Sequence, residues 1–331
     1  MPERLEKLKQ WLEAELDFRG YTMKPASADA SFRRYFRVTH EGESLIVMDA
    51  PPDREDSRPF IRISGMFFDV GLNVPAVIDE NLEEGFLLLS DLGSRPYLDE
   101  LNSDTVERLY GDALSALATI QTCIPDQGAL PPYDRTLLLN EMELFREWLV
   151  GRHLNVAPDS AQTACMDAAF AQLADNALEQ PQVCVHRDYH SRNLMFTKRN
   201  NPGILDFLDA VIGPVTYDLV SLLRDCYIAW PRAQVEDWVY GYQELALQSG
   251  ILREEHEDPV RFLRWFDLMG MQRHLKAAGI FARLNHRDGK PGYLGDIPRT
   301  LGYVTEVAAR YSELTAFGEF VETAVVGRLD S

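Results

Sequence analysis

The residues best suited to chemistry in this chain lie in His186-Arg-Asp-Tyr-His-Ser-Arg-Asn193 and in the apolar run that ends at Ile204-Leu205-Asp206. The first stretch has the H-R-D-x-x-x-x-N spacing of a phosphoryl-transfer catalytic loop. A carboxylate at Asp188 can orient an acceptor hydroxyl and take its proton. The amide oxygen of Asn193 and the carboxylate of Asp206 are hard oxygen ligands, the kind that Mg²⁺ needs when it is held against nucleotide phosphates. H-R-D by itself is a weak signal. The full spacing, flanked by apolar strands and followed by an apolar run into Asp206-x-x-Asp209, is a specific one. His186 and Arg187 are expected to shape the loop. His190 sits between base and metal ligand, and it either lines the cleft or braces the loop.

These groups need elements to position them. Val183-Cys-Val-His186 reads as a strand that enters the loop. Leu194-Met-Phe196 and Ile204-Leu205 read as a hairpin around the turn Asn200-Asn-Pro-Gly203, which is expected to carry Asp206 to the loop. Upstream, Leu5, Leu8, Leu12 and Leu16 predict an amphipathic helix over 3–18. Strands are expected around Phe32–Val38, Ser44–Met48, Val74–Asp79 and Gly85–Ser90, with a helix over Arg58–Val70. After Asp91-Leu92-Gly93 the pattern turns helical over 103–122, 136–150 and 160–178, and from 216 onward with breaks near 250–258 and 286–296. The order predicts an α+β fold of two lobes. A small β-rich lobe spans 1–92 and a large, mainly helical lobe spans 93–331.

Composition limits the classes of function. The chain has 331 residues and a net charge of −19, from 52 acidic and 33 basic side chains. Such a field repels phosphate backbones, so nucleic acid is not expected as a partner. No run of 18 or more apolar residues suggests a membrane span, and the first residues carry no apolar signal core, so a cytoplasmic location is expected. Cys123, Cys165, Cys184 and Cys226 have no metal-ligand spacing and read as small buried hydrophobes. Nothing in the pattern addresses oligomeric state.

The whole chain resembles the aminoglycoside phosphotransferase family, which has a protein-kinase-like two-lobed fold. The resemblance rests on the 186–193 stretch, on Leu205-Asp206-Phe207 and on Gly213-Pro-x-x-Tyr217-Asp218-Leu219. It implies ATP and Mg²⁺ as cofactors, Asp188 as base, Asn193 and Asp206 as metal ligands, and Asp218 as a buried brace. It also implies that backbone groups of a hinge at Ser90, Asp91 and Leu92 bind adenine. Within the family, Ala30-Ser-Phe-Arg-Arg-Tyr-Phe-Arg37, Ile46-Val-Met-Asp-Ala-Pro-Pro52 and Gln272-Arg-His-Leu-Lys-Ala-Ala-Gly-Ile-Phe-Ala-Arg283 resemble bacterial N-acetylmuramate/N-acetylglucosamine anomeric sugar kinases. Those enzymes phosphorylate the C1 hydroxyl of cell-wall sugars during peptidoglycan recycling, so a small amino-sugar substrate is implied.

Two features depart from the usual kinase pattern. There is no G-x-G-x-x-G run; Ser27-Ala-Asp-Ala-Ser-Phe-Arg-Arg34 stands in its place, and Ser31, Phe32, Arg33 and Arg34 are the candidates for covering the phosphates. The strand lysine is also missing, because Met48 or Asp49 occupies its position and the helix over 58–70 offers no glutamate partner. Arg33 or Arg34 is the candidate replacement. On the acceptor side, the lactyl carboxylate of N-acetylmuramate calls for a cation. Arg273, Lys276 and Arg283 are the candidates, with His190, Arg192 and Asp209 from the loop region. Trp230, Trp238, Trp265, Tyr227 and Phe281 are available to stack on a sugar ring. An aminoglycoside or other amino-alcohol acceptor is the alternative within the same chemistry. A non-catalytic, nucleotide-binding pseudokinase is the alternative outside it.

Overall fold

The computed structural model describes residues 2–28, 32–123, 128 and 130–329. In chain order the elements are α1 (Pro2–Gln10), β1 (Thr22–Ala28), β2 (Arg34–His40), β3 (Glu43–Asp49), α2 (Arg58–Asp69), β4 (Val77–Asn81) and β5 (Phe86–Ser90). There follow α3 (Tyr97–Glu100), α4 (Val106–Thr122), α5 (Arg135–Leu144), α6 (Ser160–Glu179), β6 (Gln182–Val185), β7 (Leu194–Met195), β8 (Gly203–Ile204) and β9 (Val211–Pro214). The chain closes with α7 (Tyr217–Leu223), α8 (Arg232–Gln248), α9 (Pro259–Asp288), α10 (Ile297–Ala308) and α11 (Thr315–Phe320). No helix among the described residues is long and apolar enough to cross a membrane.

The chain divides into two compact units. The first is Met1–Pro96 with Leu194–Leu208, and the second is Tyr97–Asn193 with Asp209–Ser331. This differs from the expected split at 92/93 in taking the β7–β8 hairpin into the first unit. The cause is local pairing. The Ile204 amide donates to the Asn73 carbonyl at 2.8 Å and the Phe196 amide to that of Arg95 at 2.8 Å. Phe207 packs on Phe60, with ring centroids 5.1 Å apart.

The first unit is built on an antiparallel sheet of order β1-β2-β3-β5-β4. Side chains alternate between its faces. One face presents Val38, Val47, Phe86 and Leu88 to Leu8, Trp11 and Leu12 of the N-terminal helical segment. Tyr35, Met48, Leu87 and Leu89 fall on the other face by register. Strand β1 escaped sequence reading because Pro25 and small polar residues hide its alternation. It is an edge strand with an irregularity between Pro25 and Ser27, where a proline is tolerated.

The second unit is organised around α9. The Asp258 side chain accepts from the Val260 amide to cap its start, Pro259 occupies the first turn, and Gly289 ends it in a left-handed conformation with φ 65°. Most of α9 is buried on every side, as expected for a helix running through a core. At Gly279 it approaches α5 so closely that an added Cβ would lie 2.3 Å from the carbonyl carbon of Leu144. The short strand β9 pairs antiparallel with β6, Val185 opposite Val211. Sequence reading passed over it because four residues carry no usable period.

Candidate active site

The 186–193 loop follows β6 and is pinned at several points within the second unit. At the start of α7, the buried Asp218 carboxylate accepts from the amides of His186 at 2.6 Å and Arg187 at 3.0 Å. Burial pushes this carboxyl up to about 7 against those two donors. The role of buried brace expected for Asp218 thus matches its geometry. Arg187 holds a left-handed backbone, φ 78°, which a non-glycine residue adopts only when its surroundings enforce it. Further along, the Tyr189 hydroxyl donates to the Ala113 carbonyl at 2.8 Å, and the Ser191 amide to Asp225 at 2.9 Å. Asn193 Nδ2 donates to the Asp188 carbonyl at 3.0 Å. That bond fixes the amide so that Oδ1 remains for a cation, and the donor set fits a hard metal ion.

Beside the loop lies a cavity of about 100 Å³ whose wall includes Asp188, His190, Tyr227, Arg273, Lys276 and Phe281. Desolvation works to raise the Asp188 carboxyl, but Lys276, His190 and Arg273 outweigh it and hold Asp188 below the usual carboxylate range. Lys276 is itself paired. Its Nζ lies 3.0 Å from Glu141 and donates to the Tyr217 hydroxyl at 3.0 Å. Glu141 is a buried carboxylate on α5 that also bonds the Arg187 guanidinium and the Tyr133 hydroxyl. Burial would raise its carboxyl, yet Lys276 and Arg187 bring it below the ordinary value. Arg273 is different. It is buried, its one hydrogen bond among the described residues is to the Cys226 sulfur at 3.9 Å, and its Nε has no partner.

The other acceptor-side candidates divide. His190 lines the cavity edge-on to Tyr227, and its Nδ1 has no partner. The exposed Arg192 stacks on Tyr227, its guanidinium 3.6 Å from the ring centroid, and reaches Asp296 at 4.0 Å. Asp209 contributes its backbone carbonyl to Arg187 at 3.4 Å and is not part of the cavity wall. Arg283 also lies outside that wall, in the electrostatic neighbourhood of Arg287, Asp288 and Glu147. Of the aromatic candidates, Tyr227 and Phe281 reach the cavity, whereas Trp238 and Trp265 are buried and Trp230 packs edge-on against Tyr110.

The remaining candidates belong to the first unit. Asp206 follows β8, exposed, with a left-handed φ of 62°. Ser31 lies outside the described residues. Phe32 is exposed, with Arg54 over its ring. Arg34 faces α1, where it and Arg4 grip the fully buried Asp49 from two sides, each Nε at 3.0 Å. Of the two strand positions considered for the lysine, Asp49 is therefore an anchor for the N-terminal helix, whereas Met48 falls on the other face of the sheet. Arg33 instead pairs with Glu55, just ahead of α2, at 2.9 Å and also bonds Tyr35. At the expected hinge, the Ser90 amide donates to the Ala76 carbonyl at 3.0 Å and its hydroxyl accepts from the Ala76 amide at 2.9 Å. Asp91 is a brace. Its carboxylate accepts from Arg37, Ser44 and the Gly93 amide, and Arg37 and Ser44 help to keep it below its ordinary range against desolvation. Leu92 packs on Gly203. Sequence reading missed Glu55 and Glu141, and it missed the anchoring role of Asp49. Only the facing-strand register of Arg34 and Asp49 offered a signal.

A model of the phosphotransferase enzyme family matches residues 22–263. The N-acetylmuramate/N-acetylglucosamine kinase of Pseudomonas putida is 46% identical over 340 residues, covering 99% of both chains. The protein of that name from Neisseria meningitidis is 43% identical over 317 residues, covering 94% of this chain and 93% of its own. Among solved structures, an ethanolamine kinase of Plasmodium vivax matches with a TM-score of 0.65 at 10% identity, over 89% of this chain and 86% of its own. The ADP-bound aminoglycoside phosphotransferase APH(2'')-Ib matches with a TM-score of 0.59 at 14% identity, over 91% and 98%. These two bear out the expected kinase-like fold, with its small sheet lobe and large helical part. With a family match over most of its length and full-length relatives at this identity, the chain belongs to the phosphotransferase enzyme family.

Proposed function

We propose that this protein transfers the γ-phosphoryl group of ATP to the anomeric C1 hydroxyl of N-acetylmuramate and N-acetylglucosamine, giving sugar 1-phosphates for peptidoglycan recycling in the cytoplasm. The observation that carries the reading is the cavity at Asp188, where a carboxylate held below its usual range shares the wall with two buried cations and the rings of Tyr217, Tyr227 and Phe281. An aminoglycoside is a polycation, and Arg273, which has no carboxylate at contact distance, would repel it. An acidic or neutral amino sugar meets no such repulsion, and Tyr227 and Phe281 offer faces for its ring. The names of the relatives point to the same acceptors.

Asp188 orients the C1 hydroxyl and takes its proton as the oxygen attacks phosphorus in line. The new O–P bond forms as the bond to the ADP oxygen breaks. Lys276, His190 and Arg273 keep Asp188 ionised at the expense of its basicity. That suits an anomeric hydroxyl, which is more acidic than an ordinary alcohol. Mg²⁺, held by Asn193 and Asp206, would supply charge neutralisation for the phosphates. For the cation that a strand lysine provides elsewhere, the pairing of Arg33 with Glu55 favours Arg33, because Arg34 is committed to Asp49. Backbone groups at 90–92 remain the proposed adenine contact.

The product tests the reading. Mass and ³¹P analysis of the reaction with N-acetylglucosamine should show an acid-labile 1-phosphate. An acid-stable ester at another hydroxyl would overturn the anomeric assignment.

A further inference from the structure

Two cations, Arg273 and Lys276, stand in the wall of the cavity beside Asp188, and only Lys276 has a carboxylate at contact distance. Lys276 is neutralised by Glu141 and tied to Tyr217. Arg273 is 6% exposed and always charged. Asp188 and Asp225 act on it only through the field, and its sole hydrogen bond among the described residues is the long contact to Cys226. Its Nε is buried without a partner. A buried guanidinium with no carboxylate in hydrogen-bonding contact leaves donors unsatisfied, even where nearby carboxylates favour its charge through the field. The arrangement becomes favourable when an anion with paired oxygens enters the cavity, because the planar fork matches a carboxylate in a bidentate fashion.

We propose that Arg273 is the acid-selecting residue of the acceptor pocket. It binds the carboxylate of N-acetylmuramate, while Lys276, held by Glu141, serves the field at Asp188. This rests on the sugar-kinase reading above and adds a division of labour to it. The two sugars differ in the carboxylate-bearing lactyl ether, so Arg273 sets their ratio, whereas the residues around Asp188 set the rate on both.

The test is the ratio of kcat/KM for N-acetylmuramate over N-acetylglucosamine in the wild type, Arg273→Gln and Arg273→Lys. A charge-assisted bond of this kind is worth roughly 10- to 100-fold. The ratio should fall by about that factor in Arg273→Gln and be partly restored in Arg273→Lys. A ratio unchanged from wild type, with both sugars losing equally, would mean that Arg273 serves the transferred phosphoryl group or the fold, and the proposal would be wrong. Calorimetric titration of each sugar into nucleotide-free protein gives an independent reading. The acid should lose affinity in Arg273→Gln more than the neutral sugar does, and equal affinities throughout would overturn the idea. Wild-type protein that turns over neither sugar would instead count against the acceptor reading, and the titration would still decide the role of Arg273.

Discussion

Asp49→Asn is the perturbation that most sharply tests the reading of the first unit. The Asp49 carboxylate is fully buried and accepts from two arginines, Arg34 directly across the β2–β3 ladder and Arg4 on α1. Arg4 also donates to the Glu84 carbonyl at 2.6 Å, so the cluster ties helix, strand and turn together. Removing one member of a buried ion pair costs about 3–5 kcal/mol. Here both arginines keep part of their surface in water, 24% and 31% of each side chain, so solvent recovers some of that cost. The expected loss is about 2–3 kcal/mol. Urea denaturation would measure it, and a double-mutant cycle with Arg34→Met should give a coupling of about 1 kcal/mol or more. Asp49→Lys should be worse than Asp49→Asn because it gathers three cations at one buried point. A loss below about 0.5 kcal/mol for Asp49→Asn, or a stable Asp49→Lys variant, would refute this reasoning.

Two further outcomes are expected in the second unit. Glu141→Gln leaves Lys276 and Arg187 without their shared counter-ion and should lower stability by about 3 kcal/mol near neutrality. The Glu141 carboxyl is held below its ordinary 4.5, so its contribution is complete above that value and is lost as pH falls through the lower folded one. The gap between wild type and Glu141→Gln in urea denaturation should therefore close below about pH 4.5. Gly279→Ala drives a Cβ into the backbone of Leu144 and should cost about 2–3 kcal/mol, read as a fall in Tm with the α5–α9 packing disturbed.

The spacing of the candidate groups in the loop was legible because it is local. Asp188 and Asn193 sit in one short stretch whose spacing is fixed by the backbone, and Asp206 follows a hairpin with a clear turn. The brace at Asp218 could be placed only through the resemblance, because nothing local reveals which amides a distant carboxylate will accept. Glu141 was lost among 52 acidic side chains for the same reason. From the sequence, Arg33 and Arg34 are equal candidates to replace the missing lysine. Strand alternation sends Arg34 and Asp49 to the face covered by α1, while Arg33 turns to Glu55. On α9, the residues 273, 276, 277, 280 and 281 form one stripe along the cavity, and Arg283 falls off it. Helical spacing on a thirty-residue helix gives such stripes but does not say which one faces the cavity.

The most direct test of the central claim is a coupled ATP-consumption assay with N-acetylmuramate, N-acetylglucosamine and kanamycin, run on the wild type beside Asp188→Asn. Turnover on the two sugars and not on kanamycin is predicted, with kcat lowered by about 10²–10⁴-fold in Asp188→Asn, the range for loss of a general base. Turnover on kanamycin alone, silence on all three with nucleotide still bound, or an Asp188→Asn variant as active as the wild type would contradict it.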